Sequence, residues 1–384
     1  MLNAEALPGF GIEEEYLLVD LRTRNVPAQA PPGLVAACRN ALGTCLADEM
    51  FECQLELVTP ILHDLAEARA CLADQRARLA EVVAGFGMGL LSAGSHPFAD
   101  GLATRRNPSP RYQCLFDDYR MIARSSLLCG LHVHVGVPDG HDRILLLRNL
   151  LHWLPLLLAL SASSPFWLGQ PTGSMSYRRV ICGQWPRMDL PDDFADEAEY
   201  RAHISWLHGI GAIRTDSDVW WFIRPSARFP TLELRIADAC PRLEDSLCIA
   251  GLFRSMVTHV RESPPPPAPS ALQRQVVMEN YWRARMHGIH GRFLDETGRE
   301  TLDCAAWLAD AEARFGEAAR CLGDDGAFVQ ARRILQAGSS ADRQLEQYQA
   351  TLEQNSSKPR ALLAVVEGLL AEFVEGLPTE RKIT

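Results

Sequence analysis

The sequence has no surplus of positive charge: 48 Asp and Glu outweigh 38 Lys and Arg, giving a formal net charge of −10. That argues against nucleic acid as a partner, which rewards clustered Lys and Arg. It leaves room for ATP, which needs only a local group of metal ions and arginines. The 11 cysteines include no Cys-x-x-Cys pair, so neither a zinc knuckle nor a thioredoxin-like redox motif is expected. An odd count of scattered cysteines fits a reducing compartment, where they act as small core residues. The start of the chain lacks a basic n-region followed by an apolar stretch, and a cytoplasmic location is expected. The most apolar segment, Ile144 to Leu160, is interrupted by Arg148, His152 and Pro155. It falls short of the ~20 residues of a membrane span and reads as a buried helix. There is no internal repeat, and strands and helices do not alternate regularly as βαβα.

What is present is an ordinary globular composition, 47% apolar and 22% charged over 384 residues, enough to bury a core without disulfides. Strands are expected at Phe10–Val19, Met50–Thr59, Leu90–Ala93 and Leu127–Val137, with a hairpin pair at Val219–Arg224 and Thr231–Ala237. Apolar residues at helical spacing predict a helix from Leu65 to Phe86, terminated by Gly85, Gly87 and Gly89. A short helix is expected within Pro31–Asn40, and longer ones at Leu243–Arg261, Gln273–Met286, Ala305–Phe315, Phe328–Ala337, Ser340–Gln354 and Arg360–Glu375. Ser163 to Arg187 is loop-rich, and a loop that long inside a compact protein is more often functional than idle. The expected architecture is α+β with an antiparallel sheet. It forms a single domain over 1–384: a mixed core at about 9–262, and a helix-rich C-terminal part at about 270–376 packed on it. The proline-rich stretch Pro264–Pro269 is a surface loop between them.

Four strand-like segments place ionisable residues two or four apart, and side chains i and i+2 of a strand share a face. Glu13 and Glu15 point the same way, as do Glu52 and Glu56, His132 and His134, and Glu233 and Arg235. Their neighbours Ile12, Leu55, Leu57, Val133, Val135, Leu232 and Leu234 are apolar, as in a sheet lying between a core and a cleft. Carboxylates gathered on one face repel unless cations sit among them. Hard oxygen donors with an imidazole suit Mg²⁺ or Mn²⁺, as phosphoryl transfer requires. Cationic partners are available in Arg235, Arg178, Arg179, Arg214, Arg224 and Arg228. Each piece also has a plainer meaning. Glu13 to Glu15 alone is a solvated acidic edge, and the two histidines alone are structural or the start of a cupin metal site completed by Glu233. Glu52 and Glu56 equally suit one helix face, and Glu233 with Arg235 suits a surface ion pair.

Taken together, the segments resemble the type 2 glutamate–cysteine ligases, also called YbdK-like carboxylate–amine ligases, which share the glutamine synthetase catalytic fold. The likeness is carried by Gly11-Ile12-Glu13-Glu14-Glu15-Tyr16, Glu52-Cys53-Gln54-Leu55-Glu56, Gly130-Leu131-His132-Val133-His134 and Thr231-Leu232-Glu233-Leu234-Arg235. Ser161-Ala162-Ser163-Ser164-Pro165 with Ser176-Tyr177-Arg178, Glu279-Asn280-Tyr281-Trp282 and Ser340-Ala341-Asp342-Arg343 extend it, in order, to about residue 348.

The resemblance implies a curved antiparallel sheet holding divalent ions in a funnel. It implies one ion on Glu13, His132 and Glu233, and a second on Glu15, Glu52 and Glu56. Arg235 takes the role of the arginine on the ATP phosphates and the transferred phosphoryl group, with Glu233 beside it in catalysis. Tyr177 and Arg178 are placed in a loop that closes over the amino acid, and His134 is a ligand, a supporting residue or a nucleotide contact. The implied activity is an ATP-dependent carboxylate–amine ligase with small-molecule substrates. Glutamate is activated as an acyl phosphate and attacked by the amine of cysteine or another amine. A different acid and amine, or a cupin-like use of His132 and His134, are the alternatives. No membrane partner is expected, and a homodimer through the helical C-terminal part is compatible. If β-strand alternation holds, Glu14 faces away from the site.

Overall fold

The computed structural model describes residues 7–264 and 270–378. Most of the proline-rich stretch, Pro265–Pro269, lies outside the described residues. The centre is a seven-stranded sheet. Its strands are β1 (Phe10–Asp20), β2 (Leu46–Ala47), β3 (Gln54–Val58), β4 (Met88–Leu91), β5 (Leu131–Gly136), β6 (Ile223–Pro225) and β7 (Thr231–Leu234). The order is β2-β3-β1-β5-β7-β6, every pairing is antiparallel, and β4 joins the C-terminal half of β1. The order of strand-like and helical segments implied this α+β architecture with its antiparallel sheet, and β1, the longest strand, is its spine.

The alternation of β1 sorts its side chains cleanly. Ile12, Glu14 and Tyr16 are buried on one face, whereas Glu13 and Glu15 are only partly covered on the other. The buried face, with Val133, Val135, Leu232 and Leu234, packs into the largest apolar cluster against the helix Leu243–Arg261 and the run Arg143–Ser161. That run is two helices joined by a 3₁₀ turn at Leu151–Trp153. By length and composition it is apolar enough to cross a membrane, with mean hydropathy 1.7, yet 78% of it is buried inside the protein. It is covered by chain, as a core helix should be.

The helix Leu65–Ala84 starts on Asp64, whose carboxylate accepts from the Glu67 amide at 2.7 Å. Its buried positions Ala68, Leu72, Gln75, Arg76, Leu79 and Val83 form one stripe, which presents Arg76 to the back of the sheet. There Arg76 meets Glu14 through Nε to Oε2 at 2.9 Å, and Tyr16 and Ser246 donate to the same carboxylate. Burial opposes the charge on Glu14, but the Arg76 guanidinium and these hydrogen bonds hold its carboxyl below the usual range.

Two helices, Pro110–Ser125 and Glu197–Gly209, were not anticipated. The C-terminal helices arose where the hydrophobic spacing put them. Within the proline and glycine loop a small hairpin, Phe166–Trp167 with Gln170–Pro171, precedes a short helix Arg178–Cys182.

Candidate active site

Strand register brings the ionisable residues together. Glu13 lies opposite His132, Glu15 opposite Glu56, His134 opposite Glu233, and Glu233 opposite Arg224. Such directly opposed side chains are the closest neighbours a sheet offers. His132 Nδ1 lies 3.3 Å from Glu13 Oε2 and its Nε2 3.7 Å from Glu15. His134 Nε2 lies 3.3 Å from Glu13 and 3.9 Å from Glu233. Burial opposes ionisation of Glu13, but its contacts with the His132 and His134 rings outweigh it and hold the carboxyl well below the ordinary range. Burial and the nearby Arg235 charge push His132 down, toward the neutral ring that ligates a metal.

Three groupings offer ligand atoms within 4.8 Å of one another: Glu13, His134 and Glu233; Glu13, Glu56 and His132; and Glu15, Glu49 and Glu56. Every predicted ligand but one is therefore gathered on this face. The exception is Glu52. The strand begins only at Gln54, and Glu52 sits in the turn before it, where alternation no longer governs direction. Glu49 stands in the cluster instead. It is delivered by β2, whose Ala47 pairs opposite Glu56, so that the chain just beyond β2 passes the acidic row. Burial, and then the charge of Glu15, push Glu49 up to about 8, and Glu56 is driven well above its usual value by burial and by Glu49, Glu13 and Glu15. Carboxylates this crowded need a cation to stay ionised together.

The arginines divide into two roles. Arg235 donates to Glu233, and Arg224 grips the same carboxylate through Nε at 2.8 Å and Nη2 at 3.0 Å. Glu233 is only 2% exposed; burial opposes its charge, but Arg235 and Arg224 keep it ionised far below the ordinary range. Arg178 instead ties the floor of the site to backbone, donating to the carbonyls of Ala237 at 3.0 Å and Ile236 at 3.3 Å. Its guanidinium and the His132 ring stand so close to Gly130 that a Cβ there would lie 2.3 Å from Arg178 Nη2. Gly130 therefore has a steric reason to lack a side chain. Arg179 is buried over the Phe222 ring, Arg214 pairs with Asp118 at the rim, and Arg228 is exposed in the β6–β7 loop.

This face floors a cavity of ≈ 940 Å³. Glu15, Glu49, His132, Arg178 and Arg235 reach it from below, while Arg111, Tyr119, Trp185 and Trp220 form walls. Tyr177 does not line it; its ring rests on Trp167 with centroids 5.8 Å apart. The loop that carries it is anchored by Asp238, which accepts from Ser164 Oγ at 2.7 Å and Ser176 Oγ at 2.8 Å. Arg111 and Tyr119 belong to the unanticipated helix Pro110–Ser125, whose signal in the sequence is the helical spacing of Tyr112, Leu115, Phe116, Tyr119 and Ile122 behind Ser109-Pro110.

Two solved structures share this architecture. One is the glutamate–cysteine ligase of Francisella tularensis in complex with AMP (TM-score 0.69, 13% identity), covering 97% of this chain and 90% of that one. The other is a bifunctional glutathione synthetase from Pasteurella multocida (TM-score 0.66, 14% identity), covering 96% of this chain and 53% of that one. At this identity they show a shared fold, the helix-flanked antiparallel sheet. The chain belongs to glutamate–cysteine ligase family 2, whose model matches residues 9–361, and with it to the ATP-dependent ligases that form an amide bond. Relatives named "Putative glutamate–cysteine ligase 2" bear this out. One from Pseudomonas paraeruginosa is 48% identical over 380 residues, covering 98% of this chain and all of its own length. One from Ectopseudomonas mendocina is 47% identical over 364 residues, covering 94% and 96%.

Proposed function

We propose that this ligase activates the γ-carboxylate of glutamate with ATP and joins it to the amine of cysteine or of another small amine, using divalent ions held on the sheet face. The observation that carries the metal part is His134. Its Nδ1 is taken by Thr231 Oγ1 at 2.9 Å, while its buried Nε2 has no hydrogen-bond partner and points between Glu13 and Glu233. A fixed imidazole with one orphaned nitrogen beside two carboxylates is the arrangement of a supported metal ligand. Glu13, His134 and Glu233 would hold one group of ligand atoms, Glu15, Glu49 and Glu56 another, with Glu13, His132 and Glu56 between them. The predominance of carboxylate oxygens favours Mg²⁺ or Mn²⁺ over softer metals. Bound there, divalent ions would neutralise phosphate charge during transfer.

The rest falls to this chain's own residues. A free carboxylate cannot release oxide, so it is first converted to an acyl phosphate at the expense of ATP, and the amine then displaces phosphate. Arg235, fixed by Glu233, is positioned to stabilise the negative charge that develops on the transferred phosphoryl group. Arg224 holds Glu233 from its other side and so keeps Arg235 aligned. The aromatic walls exclude water, which would otherwise hydrolyse the acyl phosphate. A cavity of ≈ 940 Å³ is large enough for a nucleotide and an amino acid together.

The test is ADP release with Mg²⁺, glutamate and a panel of amines. Turnover should require both the acid and one class of amine, and Glu233→Gln should reduce it by at least ~10²-fold. Amine-independent ADP release would overturn the ligase reading for this substrate pair.

A further inference from the structure

A second cavity, of ≈ 190 Å³, lies apart from the acidic face, where the core meets the C-terminal helices. Arg148 and His152 reach it from the run Arg143–Ser161, Gln273 and Arg274 from the helix Ala271–His287, and Arg314 from the helix Cys304–Leu322. None of these residues belongs to the site described above.

The lining of the cavity carries more positive than negative charge. The Arg148 side chain is only 6% exposed. Its Nε approaches Asp193 at 3.2 Å, yet neither Nε nor Nη2 has a hydrogen-bond partner. Arg274 donates through Nη2 to the Pro191 carbonyl at 3.0 Å, and its buried Nη1 has none. Arg314 is engaged by Glu296 at 2.9 Å. Burial and the Arg314 charge push His152 to about 4, so the ring at the cavity edge is neutral. Three arginines, Arg148, Arg274 and Arg314, thus line the cavity with a single carboxylate, Glu296, while Asp193 pairs with Arg148 from outside the lining. A guanidinium is also the side chain best shaped to take two oxygens of one anion.

We propose that this cavity is a binding site for a small oxyanion, a phosphate or a short dicarboxylate, held between Arg148 and Arg274. The volume corresponds to about six waters and lies below the ~300 Å³ at which pockets for larger organic ligands begin, so a nucleotide is excluded. Because Arg148 comes from the core and Arg274 from the C-terminal part, the anion bridges the two.

The experiment is thermal unfolding and titration calorimetry of the full chain with inorganic phosphate and with malonate, against sodium chloride at matched ionic strength. At least one of the two oxyanions should stabilise the wild type beyond the chloride control. The one that does distinguishes a phosphate source from a carboxylate source. Arg274→Gln should weaken that binding by at least ~10-fold with ADP-forming turnover unchanged, and Arg274→Lys should restore part of it. Arg235→Gln, in the catalytic cavity, should leave this oxyanion stabilisation in place. Because Arg148 is buried and its replacement can fail to fold, Arg274→Gln decides the matter. Equal stabilisation of wild type and Arg274→Gln, or a chloride effect as large as that of both oxyanions, overturns the proposal.

Discussion

The acidic cluster shows how far one residue's surroundings decide its role. Glu49 and Glu52 are both acidic, three residues apart, and only Glu49 stands with Glu15 and Glu56. Glu49→Gln is therefore expected to weaken Mg²⁺ binding and turnover by about 100-fold or more, and Glu52→Gln to change either by only a few-fold; metal titration of the two variants checks this. The sign of the pH effect also follows. Glu49 is raised to about 8 from an ordinary value of 4.5. The folded, metal-free chain therefore binds an extra proton between those values and loses stability as pH rises through that window. Mg²⁺ should accordingly raise the melting temperature more at pH 8.5 than at pH 6; an equal rise at both would show that Glu49 does not couple to the ion. Alternation made Glu13, Glu15, His132, His134, Glu56 and Glu233 legible from their spacing. Glu49 was not, because its direction is set by the turn between β2 and β3, where no periodicity applies.

At the scale of elements, β1 is held in place from behind. Glu14 is buried with Arg76, Tyr16 and Ser246 on the face opposite the site. Removing one partner of a buried ion pair typically costs about 3–5 kcal/mol, whereas replacing both by apolar residues costs much less. Arg76→Met and Glu14→Leu should each lower stability by that amount in urea unfolding, and the double variant should recover part of the loss. Additive losses would show that the two residues do not act as a pair. That Glu14 faces away from the cleft was legible from alternation; its partner was not, because Arg76 is 62 residues away and nothing local marks the contact. The helices at Leu65–Ala84 and Leu243–Arg261 were readable from apolar spacing. Pro110–Ser125 carries such spacing too, in Tyr112, Leu115, Phe116 and Tyr119, but its interior residue Arg120 has φ 45°, a break in the helix that no residue pattern announces.

On the scale of the whole molecule, the last helix closes the structure. Lys358–Val374 packs on β4 and on the helix Leu65–Ala84, burying Leu362, Val365, Val366, Leu369 and Phe373, with Phe373 edge-on to Tyr16 at 5.3 Å. Five such side chains at about 1.5–3 kcal/mol each approach the entire stability of a typical domain. A chain ending at Ser357 should therefore fail to give a cooperative thermal transition; a native-like melt would show that the helix is dispensable. The long-range assembly was legible only as an order of motifs. Strand order, and with it which motifs adjoin, depends on pairings between distant segments that local pattern does not specify.

Glu13, Glu14 and Glu15 are chemically identical neighbours with different modes of failure. A substitution scan read once for soluble protein and once for turnover would separate them. Conservative changes at Glu13 and Glu15 should leave an abundant, silent protein, whereas changes at Glu14 should deplete the protein itself. Three consecutive codons for one amino acid would then be under two distinct selective pressures, alternating with the pleat of a single strand.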